Sequence, residues 1–342
     1  MNQPQRFLIS QTAFIGDVIL ATSLVEKLRF HFPDATIDFL LRKGNEGLLK
    51  NHPHINEVLI WDKKNGKYRD LLRLLRLIRP RRYDKMINLQ RFGATGLLTA
   101  FSGASETIGF RKNPFSRFFT HSVEHHIAPD IHEINRNTEL VSGFTSRTAF
   151  KPRLYPSLAD YEQVKPYQTG PYICVAPTSV WFTKQYPEEK WVDFLRQVPT
   201  HLTVYLLGAP SDSVAVERIR QQLDSVRVVS LAGKLPFLAS AALMQGAQMN
   251  FVNDSAPLHL ASAVDAPTTA IFCSTIPQFG FGPLADDSQI VEIEEILDCR
   301  PCGLHGRKTC PLGHFQCAYG IRTEQLTTRL EGRQADDAKP MA

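Results

Sequence analysis

The strongest constraint on this 342-residue chain is a rhythm that runs through it twice. In the first half, short apolar runs (FLIS from Phe7, TIDFLL from Thr36, VLIWD from Val58, DKMINL from Asp84, TIGF from Thr107) alternate with segments patterned as helices. These are a helix from about Val18, one near Glu46, a basic one around Arg69, and one over 133–144. Strands alternating with helices predict a parallel sheet, because parallel neighbours need a long crossover between them. A stretch with four prolines, KPRLYPSLADYEQVKPYQTGP from Lys151, reads as a crossing between domains. The rhythm then restarts: YICVAP, a helix opening at Pro187, TVYLLG, a helix after Ser211, VRVVSLAG, a helix near Pro236, MNFVND, a helix after Ser255, and TTAIF.

The prediction is an α/β protein of two Rossmann-like domains, with parallel sheets facing across a cleft. Its length also exceeds what one hydrophobic core usually organises. The expected divisions are an N-terminal domain over 1–152, a linker over 153–170, a C-terminal domain over 171–322 that includes a cysteine-rich segment at 299–317, and a C-terminal helix with a polar tail over 323–342. Open parallel sheets hold ligands beyond the carboxyl ends of their strands, so the loops at those ends carry the search for function.

A composition of 43% hydrophobic and 21% charged residues excludes a disordered or fibrous chain. No apolar run approaches the roughly 20 residues a membrane helix needs, and the first residues enter a strand pattern without a cleavage site. The expected location is the cytoplasm. Residues 1–150 hold 22 Lys+Arg against 14 Asp+Glu, a net +8, and the remainder holds 17 against 20, a net −3. The densest basic stretch, 63–85, spaces leucines helically among arginines, which fits either a solvated amphipathic face or contact with an anionic partner. No aromatic-interleaved basic motif accompanies it, which argues against nucleic acid.

Three loops stand out. The first strand exits into Gln11-Thr12-Ala13-Phe14-Ile15-Gly16-Asp17, placing Asp17 at a helix start. There it serves as an N-cap or as a carboxylate with chemistry to do. A dinucleotide fingerprint would need G-x-G-x-x-G, and only Gly16 is present, so a nicotinamide dehydrogenase loses its support. In the second half, Ala176-Pro177-Thr178-Ser179 leads to Lys184 just before a helix; a lysine there holds a phosphate with the free amides, or is a solvated surface residue. The third loop, Asn253-Asp254-Ser255-Ala256-Pro257-Leu258-His259, turns a strand into a helix. Asp254 or Ser255 could cap that helix, and His259 could simply pack.

Near the C-terminus, Cys299-x-x-Cys302 is followed by Cys310 and Cys317, with His305 and His314 interspersed. This is either a tetrahedral zinc or iron site of structural purpose or a set of reduced thiols in a packed loop. Cys174 and Cys273 lie in apolar runs and read as core.

Taken together and in this order, the three loops resemble glycosyltransferase family 9, the ADP-heptose:lipopolysaccharide heptosyltransferases, heptosyltransferase II among them, over nearly the whole chain. The segment from Thr12 to Asp17, followed by VILATSLVEKL, looks like the family's N-terminal motif, whose aspartate is the general base toward the acceptor hydroxyl. Thr178, Ser179 and Lys184, followed by YPEEKW, are similar to its donor-phosphate segment, and Asp254, Ser255 and His259 match its strand-to-helix turn. The resemblance implies a GT-B architecture, an acceptor on the first domain, a nucleotide sugar on the second, and inversion at the anomeric carbon with no cofactor required for catalysis. The chain contains no D-x-D triplet, which is consistent with metal independence.

By the same resemblance the partners are a nucleotide-sugar donor, ADP-heptose first, and an anionic glycolipid acceptor of the lipopolysaccharide inner core, with peripheral contact at the inner face of the inner membrane. Thr12, Lys63, Lys64, Arg111 and Lys112 are the candidate acceptor contacts. Two departures leave the donor open to another nucleotide sugar: Ala256-Pro257 stands where many members have Gly, and the helix over 236–246 lacks the Glu that some members place on the nucleoside. A sugar-nucleotide-binding assembly protein without turnover is the alternative from a different class.

Overall fold

The computed structural model of the protein describes residues 5–129, 131–223 and 227–337. It divides into two compact units, Met1–Tyr155 and Pro156–Ala342.

The first unit is a six-stranded sheet: β1 (Arg6–Ser10), β2 (Thr36–Arg42), β3 (Glu57–Trp61), β4 (Lys85–Asn88), β5 (Glu106–Phe110) and β6 (His121–Val123). Every pairing is parallel, in the order β3-β2-β1-β4-β5-β6. Phe7, Leu8 and Ile9 are fully buried on both faces of β1, which is why this strand reads as a continuous apolar run and not as an alternating one. Four helices accompany the sheet: α1 (Ile15–His31), α2 (Lys67–Ile78), α3 (Gly93–Ala100) and α4 (Glu133–Glu139).

Helix α2 is the basic stretch. It buries Leu71, Leu74 and Ile78, one stripe at helical spacing, and leaves Lys67, Arg69, Arg73 and Arg76 exposed. The helix expected near Glu46 is a single 3-10 turn, Glu46–Leu48, and the one expected over 133–144 ends at Glu139 in a series of turns. Neither α3 nor β6 stood out in the sequence.

The second unit opens with α5 (Leu158–Val164), inside the stretch read as a linker, and this helix packs on α8 (Phe237–Gln245). Its sheet comprises β7 (Tyr172–Ala176), β8 (Thr203–Leu206), β9 (Val228–Ser230), β10 (Met249–Asn253), β11 (Thr268–Phe272) and β12 (Ser288–Glu292). These too are all parallel, ordered β12-β11-β10-β7-β8-β9. The remaining helices are α6 (Glu188–Leu195), α7 (Ser213–Arg220), α9 (Ala256–Ala263), α10 (Gln316–Tyr319) and α11 (Glu324–Asp337). The polar tail expected after it lies, from residue 338 on, outside the described residues.

Both sheets therefore have the same winding. In each, the chain starts in the middle, runs to one edge, then returns to build the other side. The strand order reverses between β1 and β4 in the first unit and between β7 and β10 in the second. Helices leave the carboxyl ends of such a strand pair toward opposite faces, which opens a crevice there. The loops after β1, β7 and β10 all start at these reversal points, and they are the three loops singled out from the sequence.

Candidate functional site

In the first unit, β1 ends at Ser10 and α1 begins at Ile15, so Asp17 is the third residue of the helix; the N-cap position belongs to Phe14. Asp17 Oδ2 accepts a hydrogen bond from Phe14 N at 3.2 Å. This is the return half of a capping box, and Phe14, with no acceptor, cannot supply the other half. The carboxylate is thus fixed beside the positive end of α1, where negative charge is favoured.

Two of the predicted acceptor contacts meet each other. Lys63 Nζ donates to Thr12 O at 2.8 Å and to Thr12 Oγ1 at 2.9 Å, and sits over the Trp61 ring, 4.7 Å from its centroid. Burial, with the charges of Arg42 and Lys67 behind it, lowers the Lys63 ammonium to about 8. Thr12 is buried, so its hydroxyl serves first to hold this lysine. Lys64 is exposed, its backbone N–H donating to Asp62. Arg111 and Lys112 follow β5, two strands from β1; both are exposed, and Arg111 pairs with Glu124 at 2.5 Å.

The fold brings a further group toward Asp17 that the sequence did not reveal. Helix α4 packs on α1, and its first residue, Glu133, accepts from Arg136 Nε at 2.7 Å, with His125 Nε2 3.9 Å from the same oxygen. Burial raises the Glu133 carboxyl; Arg136 opposes this, and the charge of Asp17 adds to it. His125 is pushed down to about 4 by burial, with Arg91, Arg136 and Lys112 contributing. Asp17 therefore shares its surroundings with a buried carboxylate-arginine pair. A Glu and Arg three apart was the only sequence signal, and that spacing is common on helix surfaces. A separate hollow of about 440 Å3 lies beside His52 and the start of β3, and no predicted residue lines it.

In the second unit the two predicted segments converge. Lys184, at the end of a 3-10 turn after β7, reaches Asp254 at the end of β10, with Nζ 2.6 Å from Oδ2. Thr275 Oγ1 donates to the same Asp254 oxygen at 2.6 Å. Lys184 and Asp254 have side chains 14% and 7% exposed, so the pair is largely withdrawn from water and keeps a defined geometry. Asn253 Oδ1 accepts from Tyr186 N at 3.0 Å, tying the segment after Lys184 to the end of β10. Gln185 Nε2 donates to Ser179 O at 2.7 Å and closes the loop that carries Thr178 and Ser179.

Ser255 is the N-cap residue of α9, yet its hydroxyl makes no capping bond and donates instead toward Thr178 O at 3.5 Å. The first turn of α9 is poor in free amides: Pro257 has none, and Leu258 N already donates to Ser255 O at 3.1 Å. An anion at this helix start would depend chiefly on Lys184 for its counter-charge. His259 is buried with its ring edge-on to Phe281, centroids 6.4 Å apart.

The cysteines do not assemble as a metal centre. Among the described residues no group of three or more His, Cys, Asp or Glu side chains is placed to hold an ion. Cys317 is buried in the core of the second unit, its thiol pushed up to about 12 by burial, and Cys310 packs against that core. Cys299 and Cys302 are partly exposed, and Cys302 Sγ donates to the Cys299 carbonyl at 3.5 Å. All six cysteines are free.

Among the described residues no helix is long and apolar enough to cross a membrane. The model of the family "Glycosyltransferase family 9 (heptosyltransferase)" matches residues 71–314, a span that holds Lys184 and Asp254 and begins after Asp17. Lipopolysaccharide heptosyltransferase 3 of Escherichia coli is 28% identical over 280 residues, covering 77% of this chain and 82% of the relative. The crystal structure of a family 9 glycosyl transferase from Veillonella parvula superposes with a TM-score of 0.82 at 20% identity, covering 96% of each chain. ADP-heptose LPS heptosyltransferase II of E. coli superposes with a TM-score of 0.79 at 18% identity, covering 98% of this chain and 100% of that one. The two superpositions extend the likeness in fold to the first unit, which the family match leaves partly uncovered.

Proposed function

The chain belongs to glycosyltransferase family 9, the heptosyltransferases, and from that premise we propose that it transfers heptose from ADP-heptose to a hydroxyl of a lipopolysaccharide inner-core acceptor, with inversion and with Asp17 as general base. The observation that carries this reading is the Lys184–Asp254 pair, 2.6 Å apart at the reversal point of the second sheet. It supplies a fixed cation where parallel sheets of this winding bind ligands. The choice of donor rests on the likeness to the E. coli ADP-heptose LPS heptosyltransferase II.

In the reaction, Asp17 removes the acceptor proton as that oxygen attacks the anomeric carbon. The bond from that carbon to the diphosphate breaks, and ADP leaves with an added negative charge. Lys184 meets that charge, supported by the dipole of α9. Asp254 orients the lysine; a direct contact between its carboxylate and the diphosphate would bring two anions together. Thr178, Ser179 and Ser255 line the same turn as hydrogen-bonding partners of the donor. The lysine and helix start do the work that a divalent ion would otherwise do, so transfer proceeds without one. Lys63, held by Thr12, presents a cation on the first unit to an anionic acceptor, with Lys64, Arg111 and Lys112 as outer contacts. The same reading puts the enzyme in the cytoplasm, at the inner face of the inner membrane, where the acceptor is presented.

The test is Asp17→Ala with ADP-heptose and purified core acceptor. Transfer falls by at least three orders of magnitude while ADP binding stays within about threefold, the pattern of losing a base and not a binding group. Transfer near the parent rate removes Asp17 from the mechanism. Should the parent protein bind ADP-heptose and never transfer it, the enzyme reading gives way to the binding-protein alternative; turnover of a different nucleotide sugar corrects the donor alone.

A further inference from the structure

Residues 300–307 are the part of the cysteine-rich segment for which the proposed function has no use, and they reach Lys184 through Gly306 and Thr183 and Asp254 through Thr275. On the lysine side the link is Thr183, 1% exposed. Thr183 N donates to Arg307 O at 3.1 Å, and Arg307 N returns a bond to Thr183 Oγ1 at 2.7 Å. Ser274, itself fully buried, donates from its hydroxyl to Thr183 Oγ1 at 2.9 Å and from its backbone N to Thr183 O at 3.2 Å. Cys302 N donates to Ser274 O at 2.8 Å, which ties the strap back to the same point.

Gly306 then lies directly on the lysine stem. A Cβ at this position would come within 2.8 Å of Lys184 Cγ, and its φ of +76° lies in the left-handed region that disfavours any other residue. On the aspartate side the link is Arg300. Its guanidinium donates to Cys273 O at 2.7 Å, Phe272 O at 3.1 Å and Thr275 O at 2.8 Å, and pairs with Glu292 at 2.6 Å. Thr275 is the residue whose hydroxyl holds Asp254.

We propose that residues 300–307 form a strap that positions the donor-site cation, with Thr183, Gly306 and Arg300 as positioning residues that hold Lys184 and Asp254 in register for the departing diphosphate. The proposal rests on the reading of Lys184 as the donor-phosphate cation. The alkyl stem of a lysine rotates freely about four bonds, and aiming its ammonium needs neighbours that restrict the stem. Gly306 closes one side of that stem, and the hydroxyl of Thr183 fixes where the stem leaves the backbone. A misplacement on the order of 1 Å in such a group is enough to cost about a hundredfold in rate. The strap thereby gives residues 300–307 of the cysteine-rich segment a task in the reaction.

The experiment compares Thr183→Val, Thr183→Ser and Gly306→Ala, each alone and combined with Lys184→Ala, measuring kcat for transfer and the Kd of ADP. Thr183→Val keeps shape and removes the hydroxyl that Arg307 and Ser274 share; Gly306→Ala tests the lysine stem by a different route should the valine variant fold poorly. The expected result is a tenfold or greater loss of kcat in Thr183→Val and Gly306→Ala, with ADP bound more weakly than by the parent but no more weakly than by Lys184→Ala. Thr183→Ser recovers to within threefold of the parent, and neither substitution adds loss once Lys184 is alanine. The same loss with and without Lys184, or a serine variant as slow as the valine one, overturns the strap while leaving the proposed function intact. If Lys184→Ala itself transfers at the parent rate, the reading of Lys184 fails and the strap falls with it.

Discussion

A carboxylate in the first turn of a helix is surrounded by amide hydrogens, and Asp17 takes one of them, Phe14 N, at 3.2 Å. The bond that caps the helix also holds the carboxylate in one place, which a base toward an acceptor hydroxyl needs. His52 is buried beside Tyr155 and His54, and burial lowers its imidazole to about 3, with the charge of His54 adding to the effect. Its Nδ1 accepts from His54 N at 3.3 Å, a bond the protonated ring would lose, and its Nε2 lies 3.3 Å from Glu26, whose charge opposes the burial. The unfolded chain titrates this group near 6.5, the folded one near 3. Between those values the unfolded state holds the extra proton, so stability rises with pH and is lost as pH falls below about 6.5. The slope for one such group approaches ~1.4 kcal/mol per pH unit. His52→Phe keeps a ring against Tyr155 and cannot protonate, so the stability lost between pH 7 and pH 4.5, read from urea midpoints, is smaller than in the parent by about 2 kcal/mol. An equal loss in both proteins means His52 is charged in the fold.

At the level of elements, α5 shows how a helix can hide in a proline-rich stretch. Ser157 Oγ accepts from Asp160 N at 3.3 Å, and Asp160 Oδ2 accepts from Ser157 N at 2.7 Å, a full capping box that starts the helix directly after Pro156. Ser157→Ala removes one half of it and lowers stability by about 1 kcal/mol. Since α5 packs on α8 and carries none of the site residues, transfer activity at 25 °C stays at the parent level; a loss of activity without a loss of stability would give this helix a role beyond packing. The strands were readable because burial on both faces makes them apolar throughout, as in β7 and β10, where every residue is buried. Helix α3 was not. Its GATGLLTA carries two glycines, poor helix formers, and Gly96 is there because the Asn113 side chain approaches to where a Cβ would stand, 1.9 Å from Oδ1. The site divides in the same way. Asp17, Lys184 and Asp254 sit at strand-to-helix turns, which hydrophobic pattern locates. Glu133 beside Asp17 and Gly306 on Lys184 come from contacts more than a hundred residues apart in sequence, and no local pattern encodes those.

Across the whole molecule, the tryptophans separate the two units as reporters. Trp61 is buried in a core of the first unit with Leu8, Leu40 and Leu74, while Trp191 is buried in the core of the second with Phe194 and Phe251. The third tryptophan, Trp181, lies three residues before Lys184. A ligand that binds only folded protein stabilises the part it binds, by ~2.7 kcal/mol at a hundred times its Kd. If the nucleotide sits on the second unit, ADP raises the denaturation midpoint reported by Trp191 in a Trp61→Phe, Trp181→Phe background. The midpoint reported by Trp61, with Trp181 and Trp191 both changed to Phe, moves less. Lys184→Ala removes most of the Trp191 shift, because α9 with Pro257 in its first turn has few free amides left to hold a diphosphate alone. A shift confined to Trp61 would place the nucleotide on the first unit and reverse the assignment of donor and acceptor. A full shift at Trp191 in the Lys184→Ala protein would keep the nucleotide on the second unit and take the lysine out of its binding, leaving the turn at Ser255 and Thr178 to account for it.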